Sequence, residues 1–191
     1  GLDRLLKEPN LNNLQLSKSL GVDIQDDEDF ILLIQHVIST ESDKAYEQMK
    51  VTLEAVKKIG IKTIMTYPNS DAGGQQMIKA INEFGNINNL TIIKNISRTP
   101  FVNLMRRASC LIGNSSAGIL EAPLLKLPVI NIGNRQKGRL HSSNVQFVSH
   151  NKDEIIGAIK LAVFDLDYRK NILNCVNPYG DGSSSERIAD I

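Results

Sequence analysis

The chain has 191 residues, of which 41% are hydrophobic and 23% charged, enough for the core of one ordinary globular domain. Its formal net charge of +1 leaves no basic surplus to neutralise a polynucleotide backbone, which argues against nucleic acid as a partner. No apolar run is long enough to cross a bilayer, no signal-peptide pattern opens the chain, and the two cysteines, Cys110 and Cys175, show neither CxxC nor metal spacing, so no membrane partner and a reducing cytoplasm are expected.

Gly1-Leu2-Asp3-Arg4-Leu5-Leu6-Lys7 contains no initiator Met and reads as the middle of a longer chain. Residues 1–29 look helical and polar, with no sustained strand. Phe30 to Val37 is a continuous apolar run, the mark of a strand covered on both faces. Thr40-Glu41-Ser42-Asp43 signals a helix start, Ala45, Met49, Leu53 and Val56 follow at helical spacing, and Gly60 closes the helix. Ile61 to Tyr67 is the next strand, and Pro68-Asn69-Ser70-Asp71 turns the chain into a helix from Gln75 to Phe84. A strand at Leu90–Lys94, a short helix at Pro100–Arg107 and a strand at Ala108–Ile112 come next. The pattern continues with a helix at Ala117–Leu125, a strand at Pro128–Ile132, a weaker strand at Val145–Val148 and a helix at Asp153–Phe164. Asn177 to Ser185 is a turn-rich loop, with a last helical segment near Glu186. This strand–helix alternation predicts an α/β fold, a Rossmann-like parallel sheet with helices on both faces.

Ligands of such folds sit beyond the carboxyl ends of the strands. The expected strand ends offer His36, Asn69, Asn95-Ile96-Ser97-Arg98, Gly113-Asn114-Ser115-Ser116 and Gly133-Asn134-Arg135-Gln136. All are small or can hydrogen-bond, apart from Ile96, and all fall on one edge, which points to one polar cleft.

The stretch Gly113-Asn114-Ser115-Ser116-Ala117-Gly118 admits three readings: a plain helix cap, a serine nucleophile or a phosphate cradle. A helix starting at Ser116 or Ala117 presents amides without intrahelical partners, two hydroxyls and the positive end of its dipole. Ala117 and Gly118 are small enough to let a phosphate approach the backbone. Ser115 or Ser116 as a simple N-cap explains the same residues. Glu121 does not fit a capping box from either serine. It leans toward the helix start, where a carboxylate can accept hydrogen bonds from two neighbouring hydroxyls, as on a ribose. The nucleophile reading meets the strand–turn–helix context of G-x-S-x-G but ends in Ala117, and the downstream acid-then-His order is poorly served. G-x-G-x-x-G and G-x-x-x-x-G-K-[ST] are both absent. Arg135, with Lys137 and Arg139 close behind, is either a solvated loop or the counter-charge for a diphosphate. His36 is either a satisfied structural residue or a group facing the ligand. His141 and His150 receive no assignment, and the three histidines lack metal-site spacing.

Gly113 to Glu121, Pro128 to Arg139 and Asn144-Val145 together resemble the hydrolysing UDP-N-acetylglucosamine 2-epimerases. Pro68 to Gly73 matches a further loop of that family, and Asn177-Pro-Tyr-Gly-Asp-Gly182 its ending. The resemblance covers nearly the whole chain but only the second half of the family's protein. It implies two Rossmann-like domains in a glycosyltransferase-B-type architecture. Residues 1–29 would then be a helical lead-in from an absent N-terminal domain, and residues 30–191 the UDP-binding C-terminal domain. By this resemblance Ser115, Ser116 and Gly118 meet the diphosphate, Glu121 the ribose, Ile96 the uracil through its main chain, and Asn69 and Arg135 line the nucleotide site. His36 would be catalytic, reaching toward the diphosphate and the reacting sugar. The implied chemistry is elimination of UDP followed by hydration to N-acetylmannosamine or a related amino sugar, with no metal and no cofactor. The acid/base carboxylates would lie in the absent domain, the fragment alone would be inactive, and homo-oligomers are implied. A non-hydrolysing 2-epimerase, a UDP-sugar glycosyltransferase and a non-catalytic nucleotide sensor are the rival readings. Asn114-Ser-Ser-Ala, where the non-hydrolysing branch looks like Asp-Ser-Gly-Gly, favours the hydrolysing one.

Overall fold

All five residues of Phe30–Ile34 are buried, as a strand covered on both faces requires, and they form β1 at the centre of the sheet. The structure, a computed structural model, describes residues 2–68 and 73–182. The other strands are β2 (Lys62–Thr66), β3 (Leu90–Ile93), β4 (Cys110–Gly113), β5 (Val129–Ile132) and β6 (Val145–Val148). Every pairing is parallel and the order is β3-β2-β1-β4-β5-β6. The expected α/β class and Rossmann-like parallel sheet are therefore present.

Side-chain alternation along β1 divides the core. Ile31 and Leu33 join Met49, Leu53, Ile112, Ile130 and Ile159 on one face. There α3 (Ala45–Ile59), α4 (Gly74–Phe84) and α7 (Lys152–Phe164) pack together on the sheet. Phe30 and Leu32 join Leu16, Ile24, Leu104, Leu111 and Val129 on the other. That face carries α2 (Asn13–Leu20), α5 (Arg98–Arg107) and α6 (Ser116–Leu120). α1 (Leu2–Lys7) is tied to α5 by the Arg106 guanidinium, which donates to the carbonyls of Leu5, Glu8 and Pro9. The segment expected as a lead-in thus supplies core residues, with Leu5 and Leu16 buried. Cys110 is fully buried and burial pushes its thiol up to about 12, which fits a core residue rather than a ligand or nucleophile.

Three elements differ from expectation. β1 stops at Ile34 rather than Val37, its last rung the pairing of Ile34 with Gly113 of β4, and the polar Gln35 and His36 follow. Gly113 sits at φ +120°, and a Cβ there would lie 2.0 Å from the Ile34 carbonyl oxygen. The helix expected over Ala117–Leu125 breaks in two. α6 ends at Leu120, and a 3-10 turn covers Ala122–Leu125. Pro123 has no N–H for a helical hydrogen bond and stops the longer helix. A helix absent from the sequence reading, α8 (Leu166–Leu173), is capped by the Asp165 carboxylate, which accepts from the Tyr168 N–H. Its Leu166 and Leu173 are exposed, so no apolar stripe announced it.

The loop after α8 returns to the sheet edge. The Asn177 side chain donates to the Leu120 carbonyl at the end of α6 (2.8 Å), and the Tyr179 hydroxyl donates to the Leu140 carbonyl (2.9 Å). Asn69 and the helical segment expected near Glu186 lie outside the described residues. Among the described residues no helix is long and apolar enough to cross a membrane.

Candidate functional site

Helices following β1 go to one face of the sheet and those following β4 go to the other, so a crevice opens between the ends of these adjacent strands. His36 leaves β1 into that crevice, and Asn114-Ser115-Ser116 leaves β4 into it. Both regions are held at one residue. The buried Asn114 accepts from the His36 N–H through Oδ1 (2.7 Å) and donates from Nδ2 to the His36 carbonyl (2.8 Å). Its own N–H donates to the Ile34 carbonyl (3.0 Å). Its carbonyl accepts from Arg135 Nη1 (3.1 Å) and from Nε2 of the buried Gln136 (2.8 Å), both beyond β5. The ends of β1, β4 and β5 are thereby joined, and His36, Ser115 and Arg135 are brought together. The strand-end pattern pointed to this edge but gave no sign that Asn114 would be the junction.

Ser115 is the N-cap of α6, its hydroxyl oxygen accepting from the Ala117 N–H (3.3 Å). The Gly118 N–H donates to the Ser115 carbonyl (3.2 Å). Two of the amides expected to face an anion are therefore already engaged. The five-residue α6 has a smaller dipole than the expected nine-residue helix. What remains at this corner is the Ser116 N–H, which has no partner within the helix, and two half-buried hydroxyl groups. Gly118 is buried against the sheet, where a Cβ would stand 2.8 Å from Val129 Cγ1. Its smallness serves helix–sheet packing.

Glu121 follows α6 and its N–H donates to the Ala117 carbonyl. Its carboxylate does not float in solvent. Oε1 lies 2.7 Å from Arg98 Nη2 in an ion pair, with the Glu121 side chain 18% exposed and that of Arg98 41%. Arg98 begins α5, just past the end of β3, and sequence reasoning listed it only as part of a strand-end loop. Ile96, two residues earlier, is half-buried and packs against the second core cluster.

His150, unassigned from sequence, packs its ring against the Gly133 turn at the end of β5. Burial pushes its pKa below the ordinary histidine value, and the nearby Glu41 charge opposes that shift. Neither ring nitrogen has a hydrogen-bond partner among the described residues. Lys137 and Arg139 are exposed, and Arg139 donates to Gln136 Oε1 (2.9 Å).

Comparison with known proteins adds an independent line. The family described as UDP-N-acetylglucosamine 2-epimerase matches residues 1–191. A UDP-N,N'-diacetylbacillosamine 2-epimerase (hydrolyzing) of Legionella pneumophila is 32% identical over 187 residues, which are 98% of this chain and 48% of that protein. A GDP/UDP-N,N'-diacetylbacillosamine 2-epimerase (hydrolyzing) of Campylobacter jejuni is 30% identical over 145 residues, 74% of this chain and 37% of that one. The chain thus spans about half the length, or less, of these relatives. Among solved structures, UDP-GlcNAc 2-epimerase from Neisseria meningitidis bound to UDP-GlcNAc superposes with a TM-score of 0.77 at 21% identity, covering 99% of this chain and 52% of that one.

Proposed function

The chain belongs to the UDP-N-acetylglucosamine 2-epimerase family, and from that membership we propose that it is the UDP-binding half of a hydrolysing 2-epimerase acting on a 2-acetamido UDP-sugar. The observation that carries this reading is the junction at Asn114, where His36, the two serines and Arg135 meet at the β1/β4 crevice. The Arg98–Glu121 pair flanks the same corner. In this reading the Ser115 and Ser116 hydroxyls and the Arg135 guanidinium hold the diphosphate. Glu121 exchanges part of its contact with Arg98 for the ribose hydroxyls, and the loop around Ile96 meets the uracil.

The reaction breaks two bonds of the sugar. A base removes the proton at C2 while the C1–O bond to UDP breaks, leaving an unsaturated sugar and a diphosphate with new negative charge. Water then adds across the double bond to give the free 2-epimer. Donors already fixed at the diphosphate stabilise that charge without reorganising. His36 faces the same bond from the end of β1. The base itself belongs to a second domain, so the separate half is inactive and binds UDP weakly. Hydrolysis rather than retention of UDP is supported by Asn114-Ser115-Ser116 and by the names of the Legionella and Campylobacter relatives. Those names also favour a sugar carrying a second acetamido group.

The test is product analysis with the full-length protein that contains this chain, given UDP-N-acetylglucosamine and its diacetamido analogue. Free 2-epimerised amino sugar and UDP are expected. A UDP-linked epimer, a glycosylated acceptor or no turnover of either sugar would each refute the reading.

A further inference from the structure

We propose that Asn114 is the positioning residue of this site, acting on the reaction through His36; this rests on the reading of His36 as facing the reacting bond. The carboxamide makes a reciprocal pair with one residue, accepting from the His36 N–H and donating to the His36 carbonyl. This is the pattern of a β ladder carried one step beyond the strand end. β1 has already stopped at Ile34, where the Asn114 main chain makes the last strand-type bond. The side chain then takes over and sets where His36 leaves the sheet. At 1% exposure Asn114 is screened from water, so no solvent contact substitutes for that pair.

Aspartate keeps the acceptor but sets a carboxylate oxygen against the His36 carbonyl. Alanine loses both bonds. The Arg135 and Gln136 contacts use the main-chain carbonyl of residue 114 and survive either change. Substitution of the side chain therefore releases His36 while leaving Arg135 anchored. Small displacements of a reacting group are enough to cost about 100-fold in rate.

The experiment uses the full-length enzyme with its UDP-sugar and with UDP alone, and compares Asn114→Asp, Asn114→Ala and His36→Ala with the double variant Asn114→Asp/His36→Ala. Asn114→Asp is expected to lower kcat by about 10- to 100-fold, with the Kd for UDP within about threefold of wild type. In the His36→Ala background the same change is expected to cost less than about threefold, because no imidazole remains to misplace. Asn114→Asp preserves volume and the acceptor, so it carries the test if the alanine variant fails to fold. Wild-type kcat in Asn114→Asp, an equal loss in both backgrounds, or a fall in UDP affinity that matches the fall in kcat would overturn the proposal. If His36→Ala itself turns over at the wild-type rate, the reading of His36 is what fails, and the positioning role falls with it.

Discussion

Glu121 holds its place through Arg98, yet the two ends of that ion pair are unequal. Arg98 is the more exposed partner, so the pair contributes no more than about 1 kcal/mol to folding. If the carboxylate is instead kept for a ribose, neutralising it should show in binding first. Glu121→Gln in the full-length protein is expected to weaken UDP about tenfold by calorimetric titration, the cost of losing a charged hydrogen-bond acceptor. Its unfolding midpoint in urea should move little. An unchanged Kd would remove Glu121 from the nucleotide site. A second carboxylate, Glu154, reports on local structure. The Ser149 hydroxyl donates to it first and the Ser149 N–H second, and together they hold its pKa below the ordinary value. A carboxyl group depressed in the folded state adds stability above its unfolded pKa and loses it as pH falls through the folded pKa. Ser149→Ala is expected to raise the Glu154 pKa toward normal, read by NMR titration of the side-chain carboxyl, and to soften that acid-side loss.

The elements show how far a sequence can be read. Central strands were legible because Phe30–Ile34 and Val129–Ile132 are buried on both faces, the first written as an unbroken apolar run and the second interrupted only by the buried Asn131. Their ends were less so: β1 was expected to reach Val37, but its ladder ends where Ile34 pairs with Gly113, just before the polar Gln35 and His36. The clamp of Asn114 on His36 joins residues 78 positions apart and leaves no local pattern at all. Ser115 and Arg135 were singled out because strand ends face one edge, whereas the packing of Gly118 against Val129 belongs to tertiary structure and left no local signal. Pro123 did carry a visible signal, and the break after α6 could have been read from it. The β1/β4 contact also makes a firm prediction. Gly113→Ala places a methyl group 2.0 Å from the Ile34 oxygen at a φ of +120°. It should destabilise the fold by at least about 3 kcal/mol, measured by urea denaturation.

At the scale of the whole molecule, a complete Rossmann-like sheet carries its ligand edge on one side only, and under the proposed function the opposite wall of the cleft belongs to another domain. This chain by itself is then expected to bind UDP more weakly than micromolar. Micromolar binding, about −8 kcal/mol, would show that half a cleft suffices. The described segments at either end of the chain are fastened at different places. The opening helices are fastened through Arg106 to α5, while the closing loop reaches Leu120 through Asn177 and Leu140 through Tyr179. Those last two bonds brace the helix that precedes Glu121 and the loop that follows Arg135. Under the proposed function, losing those two bonds would therefore blunt nucleotide recognition from behind, with Ser115, Glu121 and Arg135 all left in the chain.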